Sequence, residues 1–199
     1  ASGTGDLWLQ SDNQVYFGDI GGNETFIEAN DNGDVKLFYD NSQKLATKSD
    51  GVVVTGGIYL DGSGGTNSAN ALDDYEEGSF TPNYGSGITS PSYTGTGGHY
   101  TKIGNLVSFT IRIRATGTNS SSQIKIAALP FTSNNKNEGS VSFGYVDNIN
   151  GATSISGHIP LNSSEIHVYQ LTGSNMNGNS GNGVSGRTLH LRGFYYTDS

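Results

Sequence analysis

The sequence predicts an all-β protein in two parts: a short-strand β-stalk of intertwined chains, then an antiparallel β-sandwich tip of jelly-roll type. Three observations predict it. Gly, Ser and Asn together make 75 of the 199 residues, and all three are poor helix formers that favour turns. Apolar residues in the first sixty positions come in runs of only a few, each closed by turn residues. Charge then changes sign along the chain. Residues 1–78 hold three Lys against fourteen Asp and Glu, whereas residues 79–199 hold seven Lys and Arg against four.

The first part, 1–62, reads as a stack of strands. Val15-Tyr16-Phe17 ends at Gly18-Asp19, and Phe26-Ile27-Glu28 ends at Asn30–Gly33. Val35–Tyr39 alternates, with Val35, Leu37 and Tyr39 on one face and Lys36 and Phe38 on the other. Leu45, Val52-Val53-Val54 and Ile58-Tyr59-Leu60 follow, separated by Asp50-Gly51 and Gly56-Gly57. Asn32-Gly33, Asp50-Gly51 and Asp61-Gly62 are pairs that tolerate positive φ. A spacing near ten residues fits a β-solenoid, an intertwined three-chain stalk or an ordinary meander. Strands this short do not make a two-sided core by themselves. Copies of the same chain are the simplest cover, with Leu37, Ile58 and Leu60 expected in the seam.

The compositional boundary falls in Gly62–Ser68, a flexible linker composition. Within 63–78, read as linker or collar, Ala69–Gly78 is expected to make one short helical turn carrying an acidic collar (Asp73, Asp74, Glu76, Glu77).

From residue 79 the strands lengthen. Val107, Phe109, Ile111 and Ile113 alternate with Ser108, Thr110, Arg112 and Arg114, the pattern of a half-buried antiparallel strand. Ile124 and Ile126 alternate with Gln123 and Lys125, and Pro130 closes the run. Val141, Phe143 and Tyr145 are expected to share one face. Ile166 and Val168 oppose His167 and Tyr169; Leu189 and Leu191 oppose His190 and Arg192. Polar loops at 115–122, 132–140, 147–157 and 172–187 separate them. This is the pattern of a sandwich over 79–199.

Several function classes fall away. The chain has no cysteine, which removes disulfides, zinc-thiolate sites and thiol nucleophiles. It has no apolar run long enough to span a membrane. Its net charge of −8 does not suit nucleic acid, which needs clustered cations. The start, Ala-Ser-Gly-Thr-Gly, shows no secretion signal and reads as a fragment or processed product. No serine sits in a Gly-x-Ser-x-Gly elbow, and the collar acids lack the burial and fixed separation that glycosidases use. Asn30–Asp34 lacks the full pattern of a calcium loop and is read as a turn. His167 and His190 would form a metal pair only if their strands were neighbours; no metal or other cofactor is expected. Gly95–Gly98 is read as a loop with no helix after it, so no phosphate cradle is expected.

The binding candidates lie late in the chain. Asn175, Asn177 and Arg187 belong to the low-complexity segment 172–187, whose Asn and Ser side chains suit sugar hydroxyls. Tyr169, His190, Arg192 and Tyr196 project from the polar faces of their strands. Aromatic rings beside hydrogen-bonding groups grip a saccharide, since ring C–H groups pack on the π face. Subunit interfaces also favour tyrosine.

Residues 34–45 (DVKLFYDNSQKL) and 51–56 (GVVVTG) resemble stalk repeats in structural proteins of tailed bacteriophages. Residues 72–82 (LDDYEEGSFTP), 100–107 (YTKIGNLV) and 128–133 (ALPFTS) resemble a tail-fibre tip module. This resemblance implies a homotrimeric tail fibre or spike on the virion. It implies a tip that binds a host surface glycan or lipopolysaccharide, and an N-terminal end that meets other virion proteins. It implies no catalytic residue, and the charge and hydropathy above add the expectation of no membrane insertion and no nucleic-acid partner. A purely structural fibre or decoration component is the alternative. A glycan depolymerase would need acids gathered in a groove, and the tip offers only Glu138, Asp147, Glu165 and Asp198.

Overall fold

The computed structural model describes residues 5–59, 71–72, 74–147, 154–170 and 183–198. Leu60, the linker at 62–68 and the candidates Asn175 and Asn177 lie outside the described residues. The described chain is all-β, in two compact units, 1–73 and 74–199.

In the first unit β1 (Gln14–Gly18), β2 (Thr25–Asn30), β3 (Val35–Tyr39), β4 (Ser42–Lys48) and β5 (Gly51–Val54) form an antiparallel sheet in chain order. Within one chain this is a meander. Asp40 and Asn41 both take positive φ, 49° and 53°, which matches the right-handed twist of the strands they join. Asn32 (φ 53°) turns β2 into β3, and the Asn30 amide donates to the Asp34 carbonyl at 3.0 Å.

The register sorts the two faces by chemistry. Phe17, Ile27, Leu37, Leu45 and Val54 form one cross-strand row, and Val15, Ala29 and Val35 begin the next. The opposite face carries an ionic network. Lys36 Nζ lies 2.8 Å from Glu28 and 3.6 Å from Asp34, and Lys48 lies 3.0 Å from Asp34. These charges hold each other: Lys36 and Asn30 lower the Glu28 pKa, and Glu28 raises that of Lys36. Leu37 stays 40% exposed although it sits on the central strand. Further along, β6 (Ile58–Tyr59) pairs with β7 (Ala71–Leu72), and Ile58 is also exposed.

The second unit is one nine-stranded antiparallel sheet, β8-β10-β11-β16-β13-β14-β15-β12-β9. Its strands are β8 (Tyr75–Phe80), β9 (Asn83–Ser86), β10 (Ile88–Ile103), β11 (Leu106–Asn119), β12 (Lys125–Ala127), β13 (Gly139–Val146), β14 (Ile155–Ile159), β15 (Ile166–Gln170) and β16 (Thr188–Tyr196). The sheet curls, so its inward residues meet in one core. Val107, Phe109, Ile111 and Ile113 of β11 pack with Leu189, Leu191 and Tyr195 of β16, and with Ile124, Ile126, Ile159, Ile166 and Val168. The buried Tyr195 hydroxyl donates to the Phe131 carbonyl at 3.0 Å and accepts from its N–H at 3.2 Å. Curling brings backbone close at Gly193, where a β-carbon would collide with the Ser140 carbonyl and the Phe109 ring.

Three expectations need correction. The stretch expected to be helical is extended where it is described, as β7 and β8. Tyr75–Phe80 pairs with β10, placing Glu76 opposite Lys102 and Glu77 opposite Thr101. Asp74 then ion-pairs with the buried Lys102, and the Tyr100 hydroxyl donates to Glu76. Gly95–Gly98 is not a loop but part of β10. Its glycines make room for neighbours: the Arg112 guanidinium lies over Gly95 and the Phe80 ring over Gly98. Finally, Tyr145 leaves the face of Val141 and Phe143. A bulge at Gly144 makes Phe143 pair with Leu191 but Tyr145 with His190. The extra residue breaks the two-residue period and turns Tyr145 outward.

Candidate functional site

Strand β16 lies between β11 and β13, and its outward residues are His190, Arg192 and Phe194. Each is flanked on both sides. Phe194 stands between Ser108 and Ser140, Arg192 between Thr110 and Ser142, and His190 between Arg112 and Tyr145. All nine positions are exposed. They form a grid with rows about 7 Å apart along the strands and columns about 5 Å apart across them. The shared inward residues Leu189, Leu191, Phe109 and Ile111 anchor it from below.

A shallow groove of about 450 Å³ runs over this grid, lined by Ser108, Thr110, Ser140, Ser142, Arg192 and Phe194 along with backbone at Phe109 and Gly193. Phe194 is 49% exposed and supplies an aromatic wall. At the other end the Tyr145 and His190 rings meet edge to face, 5.4 Å apart. The Arg192 guanidinium reaches within 4.0 Å of where a side chain at Gly144 would begin, so the bulge both turns Tyr145 out and leaves space for Arg192. The surface offers aromatic faces, hydroxyls and a cationic fork side by side.

Of the residues singled out from sequence, His190 and Arg192 lie in this grid. Tyr196 is one rung beyond it, half-buried, in a row with Leu106, Ile103 and Tyr75. Tyr169 is three strands away on β15, its ring 5.1 Å from that of His158. Arg187 lies outside the grid, with its guanidinium on backbone carbonyls. Its Nε donates to the Gly183 carbonyl at 2.9 Å and its guanidinium to the Asp147 carbonyl at 3.3 Å. Leu37 and Ile58 belong to the first unit, where both are exposed.

The histidine pair is also different from the one sequence spacing allowed. β15 and β16 are not neighbours; His167 pairs instead with His158 on β14, ring centroids 5.6 Å apart. Glu165 lies 3.6 Å from His167 and 3.0 Å from Lys125. Burial lowers the His167 pKa, and Lys125 and His158 push the same way. Among the described residues no group of three or more His, Cys, Asp or Glu is placed to hold a metal.

Phe194, Tyr145 and Arg112 were not singled out as binding residues. Phe194 had a usable signal, since it continues the alternation of His190 and Arg192. Tyr145 had none without the bulge.

No family model matches the chain, and no curated protein matches it. Among solved structures it is similar to the crystal structure of the Dettilon tailspike protein (gp208). The TM-score is 0.50 at 21% identity, over 61% of this chain and 24% of that one. The likeness is one of fold, and the matched region spans about a quarter of the tailspike.

Proposed function

We propose that this chain belongs to a bacteriophage tail fibre or spike that attaches the virion to a host-cell surface glycan. Residues 74–199 form the binding unit, and residues 1–73 assemble three copies through the apolar sheet face. The observation that carries this reading is the exposed column Phe194–Arg192–His190, flanked by hydroxyls and closed by Tyr145. The phage-like motifs and the fold likeness to a tailspike support it. Each contact to a solvated sugar is weak, and three sites on one axis raise avidity by orders of magnitude without any new contact. Binding rather than cleavage is the activity assigned. None of the residues lining the groove is a carboxylate, whereas a glycosidase positions two.

The test is attachment of the intact protein to host bacteria. Phe194→Ala, at an exposed position, should reduce attachment and leave the melting temperature unchanged. Equal attachment by the wild type and this variant would sink the assignment of the site. A structural role without receptor binding draws on one observation, the row Tyr75–Ile103–Leu106–Tyr196, whose first three members are exposed apolar side chains suited to a protein neighbour. Loss of assembly in Ile103→Asp, with no host binding by the wild type, would favour that role.

A further inference from the structure

The same face carries charge that nothing balances. Arg112, Arg114 and Arg192 stand exposed on β11 and β16. Among the described residues, none of these guanidinium groups has an ion pair or a hydrogen bond. Four of the six lysines behave differently. Lys36, Lys48, Lys102 and Lys125 each hold a carboxylate. In a chain of net charge −8 carboxylates are plentiful, yet the grid contains none. The carboxylates around it lie off the grid: Glu77 on β8, two strands from β11, and Glu138 and Asp147 immediately before and after β13. Clustered like charges on neighbouring strands repel, so this face favours an anion.

The geometry also narrows the kind of anion. Arg112 folds back over Gly95 on β10, while Arg192 reaches toward Gly144 on β13. Those strands are three intervals apart in the sheet, about 14 Å. The two forks therefore do not converge on one compact dianion such as a phosphate. They suit single carboxylates borne on separate units of a chain, each able to take a bidentate pair.

We propose that this face takes an acidic saccharide, a chain of sugar acids whose carboxylates meet Arg192 and Arg112 while Phe194 and Tyr145 lie against ring faces. This rests on the glycan-binding reading above and adds the charge of the ligand. Charge complementarity selects this occupant over a neutral glycan, and the exposed aromatic faces of Phe194 and Tyr145 suit sugar rings.

The test uses the full chain, immobilised, against polygalacturonate and oligosialic acid, each paired with its carboxyl-reduced form. At least one acidic polymer should bind tenfold or more tightly than its reduced partner, roughly the worth of one charge-assisted pair, and should weaken with added salt. Arg192→Gln and Arg112→Gln should each remove most of that preference. Arg192→Lys should keep part of it, because the charge remains without the fork. Equal binding of acidic and reduced polymers, still lost in Phe194→Ala, would overturn the acid preference and leave glycan binding standing. Binding of neither acidic polymer would overturn the proposal, and the host-attachment assay would then judge the broader reading separately. Unchanged melting temperatures in the arginine variants exclude misfolding as the cause.

Discussion

Leu37→Asp tests whether the apolar face of the first unit is the assembly surface. Leu37 sits mid-sheet on β3 and is 40% exposed in the single chain. Full burial of a leucine is worth about 1.5–3 kcal/mol, so covering the exposed part contributes about 1 kcal/mol per copy. Placing a carboxylate there without a partner adds a penalty of several kcal/mol per ion once water is excluded. Summed over three copies, the substitution disfavours assembly by on the order of 10 kcal/mol. Val53→Asp is the control. Val53 is 45% exposed but lies on the opposite face, opposite Ala46 and in the row of Lys36 and Glu28. Light scattering should show three-chain mass for the wild type and Val53→Asp, and a smaller species for Leu37→Asp. Retention of trimer mass and melting temperature by Leu37→Asp would refute the reasoning. So would the reverse ranking of the two variants, or a wild type that is monomeric.

Other outcomes follow from the same structure. Ile113 is fully buried in the core of the second unit, so Ile113→Ala should cost about 2–5 kcal/mol in denaturant unfolding. Gly193→Ala forces a β-carbon against the Ser140 carbonyl and the Phe109 ring and should cost about 1–3 kcal/mol, although the residue added is small and apolar. Asp34 is held to a pKa of about 2, against its ordinary 3.8, first by the hydrogen bond from Lys48 and then by Asn30. Its stabilisation is complete above 3.8 and is lost as pH falls through about 2. Asp34→Asn should therefore flatten the pH dependence of the melting temperature across that window.

What sequence could reveal was whatever depends on near neighbours. The alternations at Val107–Arg114, Ile166–Tyr169 and Leu189–Arg192 correspond to buried and less buried faces because side-chain direction in a strand has a fixed period. That His190 and Arg192 share an exposed strand face was legible for the same reason. The grid itself was not. Its rows join β11, β16 and β13, and residues 108, 194 and 140 become neighbours only through sheet order, which leaves no local trace. Tyr145 was misplaced because one bulged residue shifts the period. Gly95–Gly98 looked like a loop because glycine is depleted in strands; there it yields space to Arg112 and Phe80. The acids after Leu72 read as a solvated turn because their partners, Lys102 and Tyr100, lie on another strand.

The grid's position on an alternating sheet has an evolutionary consequence. Its nine side chains occupy outward slots, while the inward residues of the same strands hold the core. Substitutions at exposed sites away from special features change stability by about 0.5 kcal/mol or less. The contact surface is thus free to drift, residue by residue, over an unchanged scaffold. Selection by a changing ligand would leave its mark as variability at 108, 110, 112, 140, 142, 145, 190, 192 and 194, beside constancy at 109, 111, 191 and 195.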